Sequence, residues 1–198
     1  MGIIRLADSD LVQRAVRGDG AAFNLLVARW EKRLFNFVYR LTGDREDAFD
    51  ICQDSFVKAY EQISQLKDAS RFSGWLFKIA RNHVVSLCRS EQRLPKIEEP
   101  REGEDEVGIE EMLSNSSQIR IDGPHEFQPT ELRLIVEKAL DHLPFEQRET
   151  IVLKIYEGLK FSEIAEIAEC PVSTVKSRLY LGLTQLKKVL TSNKRGAS

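Results

Sequence analysis

The spacing of apolar residues predicts four helices in the first half of the chain. Apolar side chains recur at intervals of three and four over residues 23–41, which is typical of an amphipathic helix. A shorter helix over residues 11–16 precedes it, and Thr42-Gly43-Asp44 forms the turn that follows it. Two further helices are predicted over residues 45–63 and 73–89.

The last two of these helices turn oppositely charged faces outward. The helix over residues 45–63 has an acidic face made of Asp47, Asp50, Gln53, Asp54 and Glu61. Its inward positions are predicted to be Ala48, Ile51, Cys52, Phe56, Ala59, Tyr60 and Ile63. The helix over residues 73–89 has a basic face made of Lys78, Arg81, Asn82 and Arg89. Its inward positions are predicted to be Trp75, Leu76, Ile79, Ala80, Val84 and Leu87.

The helical pattern fades over residues 95–129. Four prolines interrupt this stretch, and its ten acidic residues outnumber three basic ones. Such a composition favours a mostly disordered acidic linker, with room for one helical turn over residues 109–113.

Helical periodicity returns in the second half of the chain. A helix is predicted over residues 130–143, with Thr130 as a suitable N-cap and Pro144 as its stop. A second helix over residues 146–156 ends at Gly158.

Two short helices complete the chain, over residues 162–169 and 173–190, and Cys170-Pro171-Val172 separates them. The chain therefore reads as all-α, with two helical domains. We expect these domains to comprise residues 1–94 and 130–198, with the acidic linker of residues 95–129 between them.

The last two helices have the features of a helix-turn-helix. Pro171 prevents the first helix from continuing, and Ser173 is suited to cap the second. The inward stripe of the second helix holds Val175, Leu179, Gly182, Leu183, Leu186 and Leu190. Its outer stripe holds Ser173, Thr174, Ser177, Tyr180, Leu181, Thr184 and Lys188.

This outer stripe predicts contact with duplex DNA. Short hydroxyl side chains and cations near a helix N-terminus reach phosphates and base edges in a major groove. No acidic residue follows Pro171, so this end of the chain is a local cationic patch. The alternative is the solvated face of a plain helical bundle.

Composition narrows the remaining function classes. With 42% hydrophobic and 30% charged residues and a net charge of −2, the chain is typical of an ordinary globular protein. No apolar run approaches the roughly 18 residues of a membrane span, so a cytoplasmic location is expected. No phosphate-binding glycine loop, nucleophile motif or metal-ligand cluster is visible, so we expect no enzyme activity, metal or cofactor. The three cysteines, Cys52, Cys88 and Cys170, are expected to be buried thiols.

Five segments together carry a family resemblance. Three lie in the N-terminal half: Asp10-Leu11-Val12 through Gly18-Asp19 with Ala22-Phe23, residues 47–60 ending in Ser55-Phe56-Val57-Lys58-Ala59-Tyr60, and Phe72-Ser73-Gly74-Trp75-Leu76-Phe77-Lys78-Ile79-Ala80-Arg81-Asn82. Two lie in the C-terminal half: Leu143-Pro144 and Cys170-Pro171-Val172-Ser173-Thr174-Val175-Lys176-Ser177-Arg178. In this order they resemble the bacterial extracytoplasmic-function (ECF, group 4) RNA polymerase sigma factors of the sigma-70 family. The resemblance covers nearly the whole chain except the linker.

The resemblance implies a transcription initiation factor that binds core RNA polymerase and directs it to promoters, without a small-molecule substrate. The N-terminal domain would be sigma region 2, which binds the polymerase β′ coiled-coil and the promoter −10 element. The C-terminal domain would be region 4, which binds the −35 element and the β flap. The linker would enter the RNA exit channel, or else serve only as a flexible tether.

The resemblance also implies residue roles. Core polymerase binding would involve Asp47, Asp50, Gln53, Asp54 and Lys58. Binding and opening of the −10 element would involve Arg71, Phe72, Ser73, Trp75, Lys78, Arg81, Asn82 and Arg89. Binding of the −35 element would involve Ser173, Thr174, Lys176, Ser177, Arg178, Tyr180, Leu181 and Lys188. The aromatic residues Trp75 and Phe77 are ambiguous, because aromatic residues at helical spacing are often core.

The last helix departs from the family pattern after Arg178. Family members usually carry arginine and another basic residue where this chain has Leu181 and Leu183. Leu183 falls near the inward stripe, whereas Leu181 lies on the outer stripe. Leu181 gives up one charge-assisted contact to DNA and can instead pack on a thymine methyl group.

Two other functions remain open. A stand-alone regulator would use the helix-turn-helix on DNA while its N-terminal helices dimerise or sense a ligand. Alternatively, the N-terminal domain would serve chiefly to dock an anti-sigma factor, often membrane-bound in this family, and DNA binding would be latent. A stress response under such control is what the resemblance implies.

Overall fold

The computed structural model describes residues 6–90 and 131–195, and every regular element in these two ranges is helical. The predicted all-α class is therefore confirmed. The chain divides into an N-terminal unit, Met1–Arg93, and a C-terminal unit, Leu94–Ser198. The predicted linker and the proposed cap at Thr130 lie outside the described residues.

Residues 6–90 of the N-terminal unit form four α-helices. They are α1 (Asp8–Val16), α2 (Gly20–Thr42), α3 (Arg45–Gln62) and α4 (Phe72–Ser90). Two short 3-10 turns, Ile63–Gln65 and Ala69–Arg71, connect α3 to α4. The four predicted helices are thus present, with ends shifted by a few residues.

Capping side chains explain where α2 and α3 begin. The Asp19 carboxylate accepts the backbone N–H of Ala22 at 3.1 Å, and the Asp44 carboxylate accepts the N–H groups of Glu46 and Asp47 at 2.8 and 3.0 Å. Between the two helices, Gly43 ends α2 in the left-handed conformation, with φ of 74°. The turn predicted there is confirmed.

A polar clamp holds α1 on α2. The Asp8 carboxylate pairs with Arg29 and accepts the indole N–H of Trp30 at 3.0 Å. Arg29 also donates to the Leu6 carbonyl oxygen at 2.9 Å. The Arg14–Asp19 pair, at 2.6 Å, closes the turn between the helices. This turn lies within the first of the resemblance segments.

Aromatic rings fill the centre of this unit. Phe77 packs edge-on against Phe37 at 5.0 Å and against Trp30 at 6.0 Å, while Phe72 contacts Trp30 at 6.4 Å. Phe77, which the sequence left ambiguous, is therefore a core residue. Trp75 is only half-buried and contacts the Phe72 ring from the rim of this core.

The prediction that Tyr60 points inward is wrong. Its side chain is 54% exposed, and only its ring edge touches Phe23, at 5.0 Å between centroids. The buried residues of α3 are instead Ala48, Ile51, Cys52, Ser55 and Ala59. Ser55 is fully buried, and its hydroxyl donates to the Ile51 carbonyl at 2.6 Å. Phe56 and Leu87, also predicted inward, are half-buried.

Residues 131–195 of the C-terminal unit also form four α-helices. They are α5 (Glu131–Asp141), α6 (Phe145–Ile151), α7 (Phe161–Ala168) and α8 (Val172–Arg195). A π-helical turn, Val152–Tyr156, extends α6. Gly158 follows with φ of 71°, which agrees with the predicted stop. Buried residues of α5, α6 and α8 form one core around Leu140, Ile151, Leu179 and Leu186.

Gly182 lets α8 approach α6 closely. A Cβ atom added at this position would lie 2.8 Å from Ile151 Cδ1 and 3.2 Å from Gln147 Cβ. Any side chain would therefore push the two helices or the Ile151 side chain away. Gly182 thus fixes the position of the helix that carries the predicted −35 residues.

Candidate nucleic-acid interface

The helix-turn-helix consists of α7, a three-residue turn and α8. Glu169 ends α7 in the left-handed conformation, with φ of 55°, and Cys170 donates its backbone N–H to the Ala165 carbonyl at 3.2 Å. Pro171 precedes α8 and accepts the backbone N–H of Val175 at 3.1 Å. The predicted break is confirmed, but α8 begins at Val172. Ser173 therefore lies within the first turn and is not the cap.

The two sides of α8 differ sharply. Val175, Leu179 and Gly182 are buried, which anchors the helix on the rest of its unit. The predicted −35 residues all keep solvent access: Ser173, Leu181 and Lys188 are exposed, and Thr174, Lys176, Ser177, Arg178 and Tyr180 are half-buried. The helix thus presents one continuous surface of hydroxyls and cations, with Leu181 among them.

Arg178 and Cys170 meet at the turn. The guanidinium Nη1 lies 3.5 Å from Cys170 Sγ, so Arg178 ties α8 to the turn that precedes it. Cys170 is half-buried, and the prediction that it is a buried thiol is wrong. Cys52 and Cys88 are buried as predicted, and burial raises the pKa of the Cys52 thiol to about 12.

A second polar surface runs along α4. Trp75, Lys78, Asn82 and Arg89 follow one another at intervals of three, four and seven, so they share one side of the helix. Asn82 and Arg89 are exposed, while Trp75, Lys78 and the neighbouring Arg81 are half-buried. A half-buried ring beside an exposed amide and cations offers both a stacking surface and polar groups for a base edge.

The start of α4 is held by a local network. The Asp68 carboxylate accepts the Ser70 hydroxyl at 2.6 Å and the Ser70 backbone N–H at 2.9 Å. These bonds from Ser70 hold the pKa of Asp68 below its usual value. Asp68 also pairs with the exposed Arg71 at 3.8 Å. The sequence analysis missed this role of Asp68, although an Asx residue before a helix is a capping signal.

Phe72 does not belong to the exposed surface. The structure places its ring in the core with 0% exposure, packed on Trp30. The expectation that Phe72 contacts DNA is therefore wrong, because the ring offers no accessible surface. Its position as the first residue of α4 explains its place in the motif: it anchors the helix start. Ser73, the next residue, is half-buried.

The acidic face of α3 is also exposed. Asp50, Gln53, Asp54 and Lys58 lie open to solvent, and Asp47 is half-buried at the helix start. These residues lie opposite the buried side of α3. The helix therefore offers a largely anionic surface that suits a basic partner.

An aromatic cleft adjoins the acidic face, and the sequence analysis missed it. Phe35, Arg45, Glu46, Phe49 and Asp50 line the cleft. Phe49 is 56% exposed, and the Arg45 guanidinium lies 5.5 Å from the Phe35 ring centroid. The outward direction of Phe49 could have been predicted, because Phe49 lies one helical turn before Gln53, which was predicted to face outward.

Within residues 6–90 and 131–195, no helix is long and apolar enough to cross a membrane. The same ranges contain no group of three or more histidine, cysteine or acidic side chains arranged to hold a metal ion.

Family models match both halves of the chain. The model described as "Sigma-70 region 2" matches residues 26–94, and that described as "Sigma-70, region 4" matches residues 133–186. The first match contains the acidic face and the α4 surface, and the second contains α7, the turn and α8 as far as Leu186.

Curated relatives match over most of their length. The ECF RNA polymerase sigma-E factor of Salmonella typhi is 35% identical over 177 residues, which cover 89% of this chain and 90% of the relative. The factor of the same name from Escherichia coli (strain K12) is 34% identical over the same shares. That of Haemophilus influenzae is 35% identical over 179 residues, covering 89% and 91%.

Solved structures show the same architecture. The sigma factor RpoE, in complex with the anti-sigma factor NepR from Bartonella quintana, matches with a TM-score of 0.64 and 25% identity, over 85% of this chain and 96% of that chain. CnrH, in complex with the cytosolic domain of CnrY, matches with a TM-score of 0.65 and 25% identity, over 93% and 97%.

Proposed function

Since the chain belongs to the ECF group of the sigma-70 family of RNA polymerase sigma factors, we propose that it binds core RNA polymerase and directs it to specific promoters. Members of this family are non-enzymatic initiation factors, and we assign this chain no catalytic role. The domains proposed are residues 1–94 for region 2, residues 130–198 for region 4, and residues 95–129 as the connecting linker.

The observation that carries the proposal is the presence of three distinct surfaces on one chain. The N-terminal unit has a cationic side on α4 and an anionic side on α3, and the C-terminal unit has the outer stripe of α8. A stand-alone regulator needs one DNA-reading surface. Two DNA-facing surfaces and an acidic docking face are what an initiation factor requires.

The α4 surface is proposed to bind and open the −10 element. Extracting a base from the duplex costs a few kcal/mol, and a pocket must compensate by stacking and by hydrogen bonds to the base edge. Asn82 is exposed and carries both a donor and an acceptor. Lys78, Arg81 and Arg89 would hold the phosphates of the separated strand.

The α8 surface is proposed to read the −35 element as duplex. Hydroxyls near the start of α8 fit phosphates and base edges, and Lys176, Arg178 and Lys188 supply the charge that sets affinity for DNA. Because α8 is anchored through Val175, Leu179 and Gly182, its outer side chains project from a helix that packs on the rest of the unit.

The acidic face of α3 is proposed to dock on the β′ coiled-coil of core polymerase, and the C-terminal unit on the β flap. Opposite charge accelerates encounter and disfavours wrong partners. Phe49, next to the acidic face, adds an exposed aromatic ring of the kind that anchors protein interfaces.

We propose that an anti-sigma factor controls the chain. The support is the architecture shared with RpoE, which was solved bound to the anti-sigma factor NepR. Control of this kind fits a factor that acts in the cytoplasm during a stress response.

Run-off transcription with core polymerase tests the proposal. Purified chain added to core polymerase on genomic DNA fragments should produce start sites that core polymerase alone does not use. A chain that binds duplex DNA tightly by itself but creates no new start site would be a stand-alone regulator, and the proposal would fail.

A further inference from the structure

The outer stripe of α8 contains one exposed aliphatic side chain, Leu181, which cannot form an ionic contact with DNA. Leu181 is 37% exposed, whereas the other leucines of α8 with described side chains, at 179, 183, 186 and 190, are buried or half-buried. Its neighbours one turn away on the helix surface are Ser177, Arg178, Thr184 and Gln185, all polar. Leu181 therefore faces outward, and no residue one helical turn before or after it is apolar.

Two ordinary explanations for an exposed leucine fit poorly here. A protein partner would need a contiguous apolar patch, and the surrounding residues of this face are hydroxyls, amides and cations. Packing within the C-terminal unit does not explain Leu181 either, because Leu183 and Leu190 pack against the core of this unit and Leu181 does not belong to that cluster. The apolar atoms of Leu181 remain available to a ligand of α8.

The major groove of DNA offers one apolar group at base edges, which is the C5-methyl group of thymine. An aliphatic side chain on a helix that lies in the groove distinguishes thymine from the other bases by contact with this methyl group. Resting on the proposed −35 role of α8, we infer that Leu181 is a specificity-determining residue that selects a thymine at one position of the upstream element.

Leu181 also changes the character of the binding. A side chain without charge neutralises no phosphate, so it contributes to base preference and not to salt-dependent affinity. An arginine at this position would have the opposite effect. It would add a contact to phosphate or guanine and would remove the apolar contact with the thymine methyl group.

Replacing thymine with uracil in the DNA isolates this contact, because the two bases differ only in the C5-methyl group. Holoenzyme formed from the full chain and core polymerase first selects promoters from a library randomised across the upstream element. Each thymine of the selected element is then replaced singly, and binding is compared for the wild type, Leu181→Ala and Ser177→Ala.

We expect one position at which removing the methyl group weakens binding of the wild type by about fourfold, the value that burial of one such group corresponds to. Ser177→Ala should keep this sensitivity, while Leu181→Ala should lose it. Leu181→Arg should lose it too, and should steepen the dependence of log affinity on log salt by about 0.9, as one added phosphate contact requires.

The inference is overturned if the wild type and Leu181→Ala respond alike to every replacement, or if the selected element holds no thymine. If the holoenzyme selects no upstream element at all, the proposed function itself fails along with the inference. If the holoenzyme selects a promoter but Leu181→Ala does not change the response to methyl removal, the initiation function stands and only the thymine contact is refuted.

Discussion

The close contact at Gly182 gives a quantitative test of how the DNA-facing helix is positioned. Replacing Gly182 with valine puts a Cβ at 2.8 Å from Ile151 Cδ1, where carbon atoms normally lie about 3.5–4.0 Å apart. Ile151 is 2% exposed, so its side chain is surrounded by other core residues. Either its side chain leaves a favoured rotamer or α8 moves away from α6.

The expected cost follows from two opposing effects. Overpacking of a filled core costs about 1–3 kcal/mol. Removing a glycine from a helix interior returns only about half a kcal/mol when the replacement is β-branched. We therefore predict that Gly182→Val destabilises the C-terminal unit by roughly 0.5–2.5 kcal/mol.

The positions of the two tryptophans allow the two units to be followed separately. Trp30 and Trp75 both belong to the N-terminal unit, so fluorescence in urea reports that unit, whereas far-UV circular dichroism reports both. Gly182→Val should leave the fluorescence midpoint unchanged. It should lower the urea midpoint of that part of the dichroism change which the fluorescence does not follow, because that part reports the C-terminal unit. The matched control is Gly74→Val in α4, where an added Cβ has no neighbour within 4 Å.

A second substitution tests the assigned cause. Ile151→Val removes the Cδ1 atom itself and costs about 0.5–1.5 kcal/mol alone. Combined with Gly182→Val it should cost less than the sum of the two single changes, because the clashing atom is gone. Strict additivity, or a Gly182→Val protein as stable as the wild type, would refute the packing argument.

Three further predictions concern the proposed interfaces and the thiols. Asn82→Ala should impair promoter opening, measured by permanganate reactivity of the −10 element, with little change in affinity for core polymerase; equal loss of both would remove the assigned role. Replacing Asp50 and Asp54 with lysine should weaken core polymerase binding, most strongly at low salt, because the attraction is electrostatic; an unchanged dissociation constant would place the interface elsewhere. A thiol reagent should modify the half-buried Cys170 first in the folded protein, since burial and a pKa of about 12 protect Cys52. If the fast phase of the thiol reaction persists in Cys170→Ser, this prediction is wrong.

The sequence predicted the helices well because their apolar residues repeat at the helical period. The ends of α2 and α3 were also readable, since Asp19, Gly43 and Asp44 act through local backbone bonds. The helix-turn-helix was equally local: Pro171 and the split stripes of α8 need no information from distant residues.

What the sequence could not supply depends on contacts across the fold. Hydrophobicity favoured Tyr60 over Ser55 for the inward side of α3, yet Ser55 is the buried one and bonds its hydroxyl to the preceding turn. Likewise, the motif placed Phe72 on DNA, whereas its ring packs on Trp30, over 40 positions earlier in the chain. The requirement for Gly182 arises from atoms on α6, which no local pattern reveals.

The central claim is that α4 and α8 act together on one promoter, with polymerase fixing the distance between them. The most direct test inserts five base pairs between the upstream and downstream elements of a promoter that the holoenzyme uses, which rotates one element by about half a helical turn relative to the other. The claim predicts that run-off transcription from this promoter is lost, while binding of the chain alone to each separate element is unchanged. Transcription that persists at full strength on the lengthened promoter would contradict it.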